Sequence, residues 1–198
     1  MKPLELYLHI PFCISKCKYC DFLSAPSEFQ ERQDYVESLC RDIRSYWNLA
    51  EAYVVVSIFL GGGTPSVLTP AQIKDIFKSI KETFQLSGEA EITIEMNPGT
   101  VDKEKLRTYR EVGINRLSIG LQSALDEELK KLGRIHTFEE FLDTYKLARE
   151  AGFHNINIDL MSAIPGQTVE SYEHTLRTVA EIKPEHISAY SLIIEEGT

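Results

Sequence analysis

Three cysteines, Cys13, Cys17 and Cys20, fall within eight residues in the stretch "HIPFCISKCKYCDF", and Phe22 stands two places after the last. Thiols this crowded can pair as disulfides, bind zinc or hold an iron–sulfur cluster. Crowding argues against disulfides, and so does a reducing compartment, which the rest of the composition favours. The spacing C-x3-C-x2-C offers three thiolates and no nearby fourth. Structural zinc takes four protein ligands, and the only close addition is His9. A cubane cluster on three cysteines leaves one iron without a protein ligand, and an open coordination position is what a catalytic metal centre needs. Cys40 is of another kind. With Val36, Leu39, Ile43 and Trp47 it follows helical spacing, so it reads as a buried apolar residue.

The chain that must position these thiols has 198 residues, 43% apolar and 26% charged, enough for one sizeable core. A net charge of −9 with no clustered basic face disfavours nucleic acid as a partner. No apolar run reaches membrane-spanning length, and "MKPLELYLHIPF" is too short and too polar for a signal peptide. These features predict a cytoplasmic protein with no transmembrane segment.

Six apolar runs of strand length, at 5–10, 54–60, 91–96, 114–119, 155–161 and 186–193, alternate with amphipathic segments. Thr69-Pro70 with Gln72, and Thr137 with Glu140, read as capping boxes. Gly152 ends the second of these helices, and a further helix opens at Thr168 and stops at Lys183-Pro184. Alternation of this kind predicts parallel strands joined by helical crossovers. Three consecutive strands split into an apolar and a polar row. Ile92, Ile94 and Met96 oppose Glu91, Thr93, Glu95 and Asn97; Leu117, Ile119 and Leu121 oppose Arg116, Ser118, Gly120 and Gln122; Ile156, Ile158 and Leu160 oppose Asn155, Asn157 and Asp159. A polar row shared by successive strands lines something hydrated or ligand-filled, whereas a closed barrel fills its lumen with branched apolar side chains. The expected fold is therefore α/β, a partial (β/α)6 barrel of parallel strands with a polar lumen. The whole of 1–198 forms one core domain, and an apolar last strand with no covering helix, in "SLIIEEGT", predicts the N-terminal part of a longer chain.

In parallel α/β folds the loops after the strand C-termini hold the active site. Here those positions carry the cysteines, then "GGGTPS" (61–66), Glu95, Gln122 and Asp159. The glycine run reads either as a tight turn or as backbone brought close to a ligand, and it is neither a P-loop nor a dinucleotide fingerprint. Glu95 and Asp159 read as lumen acids or as helix caps, and Arg134 and His136 in "LGRIHT" as a ligand clamp or as surface residues.

The motifs "YLHIPFC", "CKYCDF", "LGGGTPS", "EMNPGT", "RLSIGLQS", "LGRIHT" and "IDLMSAIPGQT" run through essentially the whole chain in one order. Together they resemble the radical S-adenosylmethionine (SAM) superfamily, in the group of oxygen-independent coproporphyrinogen III oxidases and HemW-type haem chaperones. The resemblance implies that Cys13, Cys17 and Cys20 bind a 4Fe-4S cluster whose open iron is chelated by SAM. Reductive cleavage of SAM then yields methionine and a 5′-deoxyadenosyl radical. By matching positions, Tyr7 and Tyr19 pack near SAM, the backbone of Gly62, Gly63 and Thr64 meets it, and Glu95 bonds a ribose hydroxyl. Gln122, Arg134 and Asp159 fall where the oxidase contacts a second SAM. Haem or a porphyrin, an electron donor for the cluster and haem-accepting respiratory proteins are the implied partners.

This sequence departs from the oxidases at Phe22, where they carry a further cysteine that is not a cluster ligand. The cluster is thus expected to persist while oxidase activity is put in doubt, and "GRIH" and "NPGT" look more like the chaperone branch. Two readings follow, a haem-binding chaperone and a porphyrin-decarboxylating oxidase; a zinc-stabilised domain is the third, supported by the cysteines alone. No haem ligand is singled out among His9, His136, His154, His174 and His186.

Overall fold

Parallel strands joined by helices account for nearly all of the computed structural model, which describes residues 1–194. Strands β1 (Lys2–Ile10), β4 (Tyr53–Gly62), β5 (Leu86–Met96), β6 (Arg116–Gln122), β7 (Ile156–Ser162) and β8 (His186–Ser191) form one sheet in the order β1-β4-β5-β6-β7-β8. Every neighbouring pair is parallel. Chain order equals spatial order, the arrangement of an open, partial barrel. Two short strands, β2 (Phe12–Cys13) and β3 (Ala25–Pro26), pair with each other and close the cysteine loop.

Helices α1 (Phe29–Ser45), α2 (Trp47–Ala50), α3 (Pro70–Thr83), α4 (Lys103–Val112), α5 (Asp126–Leu132), α6 (Phe138–Glu150) and α7 (Val169–Ile182) make the crossovers. Both capping boxes expected from sequence form, at Thr69 with Gln72 and at Thr137 with Glu140. A third joins Thr168 to Ser171 at the start of α7. Each such cap satisfies orphan N–H groups and contributes about 1 kcal/mol. Helix α6 ends at Glu150 with Ala151 as its C-cap and Gly152 left-handed just beyond, as Gly152 predicts. Strands β1, β4 and β5 start earlier than the apolar runs suggest, and β6 and β7 start one or two residues later. Helices α4 and α5 have no counterpart in the sequence reading, and β8 stops at Ser191 rather than 193.

The apolar rows of β5, β6 and β7 lie under the helices: Ile94, Leu117, Ile119, Ile156 and Ile158 are fully buried with Phe77, Tyr109 and Phe141. Cys40 is buried in this core, as its helical spacing predicts. Burying one such Ile or Phe is worth about 1.5–3 kcal/mol, so the apolar row fixes the register. A slip of one residue would turn it into the lumen. The opposite row is polar and lines the concave face. In register, Glu95 lies beside Ser118, Ser118 beside Asn157, and Gly120 beside Asp159, which lies beside Ser188. All six residues of β8 are exposed, and residues 195–198 of "SLIIEEGT" lie outside the described set. Among the described residues no helix is long and apolar enough to cross a membrane.

Candidate functional site

The C-terminal ends of the strands surround a cavity of about 480 Å³, within the ~300–1,000 Å³ typical of small-molecule sites. Cys13, Cys17 and Cys20 edge it, with Gly62, Gly63 and Thr64 on one side and Glu95, Gln122 and Asp159 on the floor. Tyr19 and Arg134 complete the set, so eleven of the twelve candidate residues meet around one space. Tyr7 is the exception. It lies opposite Phe59, which lies opposite Thr93, one lumen row before Glu95. There its ring stacks on Phe59 at 6.1 Å and its hydroxyl bonds His9 Nδ1 at 3.2 Å.

The cysteine loop is tied at both ends. Phe12 O accepts from the Thr64 N–H at 2.7 Å, and Ile10 O from the Gly63 N–H at 2.9 Å. The Lys18 N–H donates to Leu132 O at 3.0 Å, anchoring the middle of the loop on the end of α5. His9 Nε2 bonds Leu23 O at 3.0 Å, which holds the exit. With Tyr7 on its other nitrogen, His9 is a loop tether. His136 is buried, and burial lowers its pKa to about 4 with the Arg134 charge adding to the effect. It is not a surface residue. His154, His174 and His186 are exposed, and none of the five histidines lines the cavity.

Gly63 is where the glycine run approaches the thiols most closely. A Cβ there would stand 2.6 Å from Phe12 O and 3.0 Å from Cys13 Sγ. Gly62, at φ 116°, adopts a backbone conformation that side chains rarely tolerate and aims its N–H at Glu95 Oε2, 3.1 Å away. "GGGTPS" is thus a turn, and one that brings its backbone against the thiols and Glu95.

Neither lumen acid caps a helix. Asp159 accepts from Asn157 Nδ2 at 2.7 Å and from Ser118 Oγ at 3.1 Å, yet burial holds its pKa above the usual carboxylate value. Glu95 is raised to about 7, first by desolvation and then by the Asp159 charge, with the Gly62 N–H opposing. Because this folded value exceeds the unfolded one, ionised Glu95 destabilises the folded protein. That cost is full above pH 7, shrinks as pH falls and vanishes below about 4.5. Glu95→Gln is therefore expected to stabilise the ligand-free protein by up to about 3 kcal/mol at pH 8 and by almost nothing at pH 4. Urea unfolding at the two pH values checks it; a gain that does not depend on pH would contradict the assignment.

Several contributors escaped the sequence reading. Tyr190, 42% exposed as a whole residue, donates its hydroxyl to Gln122 Oε1 at 2.7 Å at the cavity wall, where desolvation of the hydroxyl pushes its pKa up to about 12. Gln122 itself stands at φ 75°, just past a register shift between Gly120 and Gln122. Glu128 accepts from Ser123 Oγ at 2.7 Å, Gln167 Nε2 at 2.9 Å and Ser171 Oγ at 2.8 Å. That network fastens the "IPGQT" loop to the loop after β6. Asn97, known from sequence only as a member of the polar row, bonds both Arg134 and Thr64.

The donor set suits an iron–sulfur cluster. Thr64 Oγ1 reaches Cys13 Sγ at 3.5 Å and Arg134 Nη1 reaches Cys17 Sγ at 3.7 Å, donors of the kind that stabilise thiolate ligands. Arg134 Nε is buried without a partner, so the guanidinium has a donor to spare. Among the described residues no three His, Cys, Asp or Glu side chains converge tightly enough for a single ion. The thiols instead stand around the edge of a cavity.

The model of the radical SAM superfamily matches residues 7–179. The chain belongs to the radical SAM superfamily. This membership implies SAM and a 4Fe-4S cluster as cofactors. The chain is 41% identical to the heme chaperone HemW of Escherichia coli (strain K12) over 199 residues, covering 100% of this chain and 53% of that protein. It is 38% identical to the heme chaperone HemW of Bacillus subtilis (strain 168), covering 97% and 51%. Among solved structures, coproporphyrinogen III oxidase (HemN) from Escherichia coli, a radical SAM enzyme, superposes with a TM-score of 0.90. Identity there is 36%, over 97% of this chain and 44% of that one. The chain thus spans about half the length of the curated relatives it matches.

Proposed function

We propose that this chain is the radical SAM core of a haem chaperone, with Cys13, Cys17 and Cys20 as ligands of its 4Fe-4S cluster. The observation that carries the reading is the meeting of three thiols with a glycine backbone, two lumen acids and Arg134 around one cavity. When bound, the cluster and SAM supply reductive cleavage of the sulfonium. The chain's own residues bind and orient. Gly62, Gly63 and Thr64 offer backbone to the methionine and adenosyl portions of SAM, Glu95 accepts a ribose hydroxyl, and Tyr19 closes one wall with Tyr7 on the row before. Gln122, Asp159 and the free Arg134 Nε–H form the far side, a place for a second polar ligand.

Two observations favour chaperone over oxidase. Phe22, half of whose surface or more is exposed, stands at the cavity rim where the oxidases carry a cysteine. The HemW proteins of Escherichia coli and Bacillus subtilis, at 41% and 38% identity, are also more similar to this chain than the solved oxidase is at 36%. The proposed partners are haem, an electron donor for the cluster and haem-accepting respiratory proteins, with the cytoplasm as the compartment. The bare face of β8 supports a further C-terminal domain that covers it.

The test uses the full-length protein, reconstituted anaerobically. Haem is expected to bind at about one per chain, while coproporphyrinogen III gives no protoporphyrinogen above background. Turnover would move the assignment to the oxidase.

A further inference from the structure

Asn97 sits at the end of β5, and each end of its amide is engaged with a residue that touches a different thiol. Its Nδ2 donates to Thr64 Oγ1 at 2.9 Å, leaving the Thr64 proton to point at Cys13 Sγ, 3.5 Å away. Its Oδ1 accepts from Arg134 Nη2 at 2.7 Å, and the other terminal nitrogen of that guanidinium reaches Cys17 Sγ at 3.7 Å. The asparagine is itself held from behind. Its N–H meets Ser66 Oγ at 3.4 Å, and its carbonyl accepts from Thr100 Oγ1 at 2.6 Å. Lys105 Nζ then clamps both neighbours, donating to Ser66 O at 2.7 Å and Thr100 O at 2.9 Å. Gly120 leaves the space, since a Cβ there would lie 2.8 Å from Asn97 Oδ1 and 3.1 Å from Arg134 Nη2.

We propose that Asn97 is a positioning residue that sets the reduction potential of the cluster, by fixing one hydrogen-bond donor on each of two ligand thiols. This rests on the cluster assignment made above. Reduction adds negative charge, which donors to the ligand sulfurs stabilise, so orienting them raises the potential. One amide governs both, because a side chain bearing a donor and an acceptor can be satisfied by two partners at once.

Full-length protein is reconstituted anaerobically as wild type, Asn97→Leu, Thr64→Val and Thr64→Ser, and the cluster is titrated potentiometrically with electron paramagnetic resonance as the readout. Asn97→Leu and Thr64→Val are each expected to keep their iron and to disfavour reduction by about tenfold, a potential lower by about 59 mV. Thr64→Ser, which keeps the hydroxyl, is expected to return to the wild-type value. If Asn97→Leu fails to take up iron, the two Thr64 variants decide. Full iron at the wild-type potential in Asn97→Leu, or in Thr64→Val where Asn97→Leu is empty, overturns the proposal. A wild type that takes up no iron overturns the cluster assignment instead.

Discussion

Cys17→Ala is expected to reduce the iron of the anaerobically reconstituted protein from about four per chain to below one, abolishing cluster absorbance and SAM binding together. Three thiols leave no spare ligand, and nothing adjacent replaces the lost one: His9 is occupied by Tyr7 and Leu23, and none of the histidines lines the cavity. The fold is expected to survive. Cys17 lies in a loop anchored by backbone bonds at Lys18 and Thr64 and contributes nothing to the buried core. Cys40→Ala is the matched control. It removes a buried sulfur from α1, costs stability on the order of 1 kcal/mol and leaves iron binding untouched. Equal iron in wild type and Cys17→Ala would remove the loop from the site.

Gly63→Ala is the second large effect, and it acts through a single carbon. The new methyl would press on Phe12 O at 2.6 Å, Ser24 Cβ at 2.9 Å and Cys13 Sγ at 3.0 Å. The carbonyl cannot give way cheaply, because it already accepts the Thr64 N–H. Overpacking of this kind costs about 1–3 kcal/mol, and here the strain falls on the link between the ends of β1 and β4. The expected result is a roughly tenfold to hundredfold weaker affinity for SAM in calorimetry, with iron content also reduced. Gly88→Ala, at a position with no atom within 4 Å of the added carbon, should behave as wild type. Equal SAM affinity in Gly63→Ala and Gly88→Ala would mean that the glycine run is only a turn.

The parts of this architecture that were legible from sequence are those governed by a strict period or a local rule. Polar and apolar rows in β5, β6 and β7 alternate with period two, so their burial could be assigned before any contact was known. Capping boxes at Thr69 and Thr137 are short-range chemistry and form as read. Helix α4 was missed because "KEKLRTYREV" buries just three apolar side chains, Leu106, Tyr109 and Val112, among many charges, a stripe too narrow to stand out. Helix α5 has just seven residues, too few for a period. The pairing of β2 with β3 involves two residues on each side and depends on where the cysteine loop folds back.

In the site, residue types and strand ends were enough to collect the cysteines, the glycines, Glu95, Gln122 and Asp159, whereas Arg134, which follows α5, entered the site through the family resemblance. Distances were not. Tyr7 shares the lumen face by parity, yet its place along β1 puts it one row before the acids. Alternation alone could not reveal that Gln122 follows a register shift and turns left-handed, since a bulge breaks the period on which alternation rests. The bridging role of Asn97 needed coordinates, because Thr64 and Arg134 are 33 and 37 residues away in sequence.

The central claim is that the three cysteines hold a cluster with one iron left open to SAM. Electron paramagnetic resonance of the reduced, reconstituted full-length protein, with and without SAM, tests it most directly. About four iron per chain and a cluster signal whose shape changes when SAM is added are expected. About one zinc and no iron, or a cluster signal indifferent to saturating SAM, would contradict it.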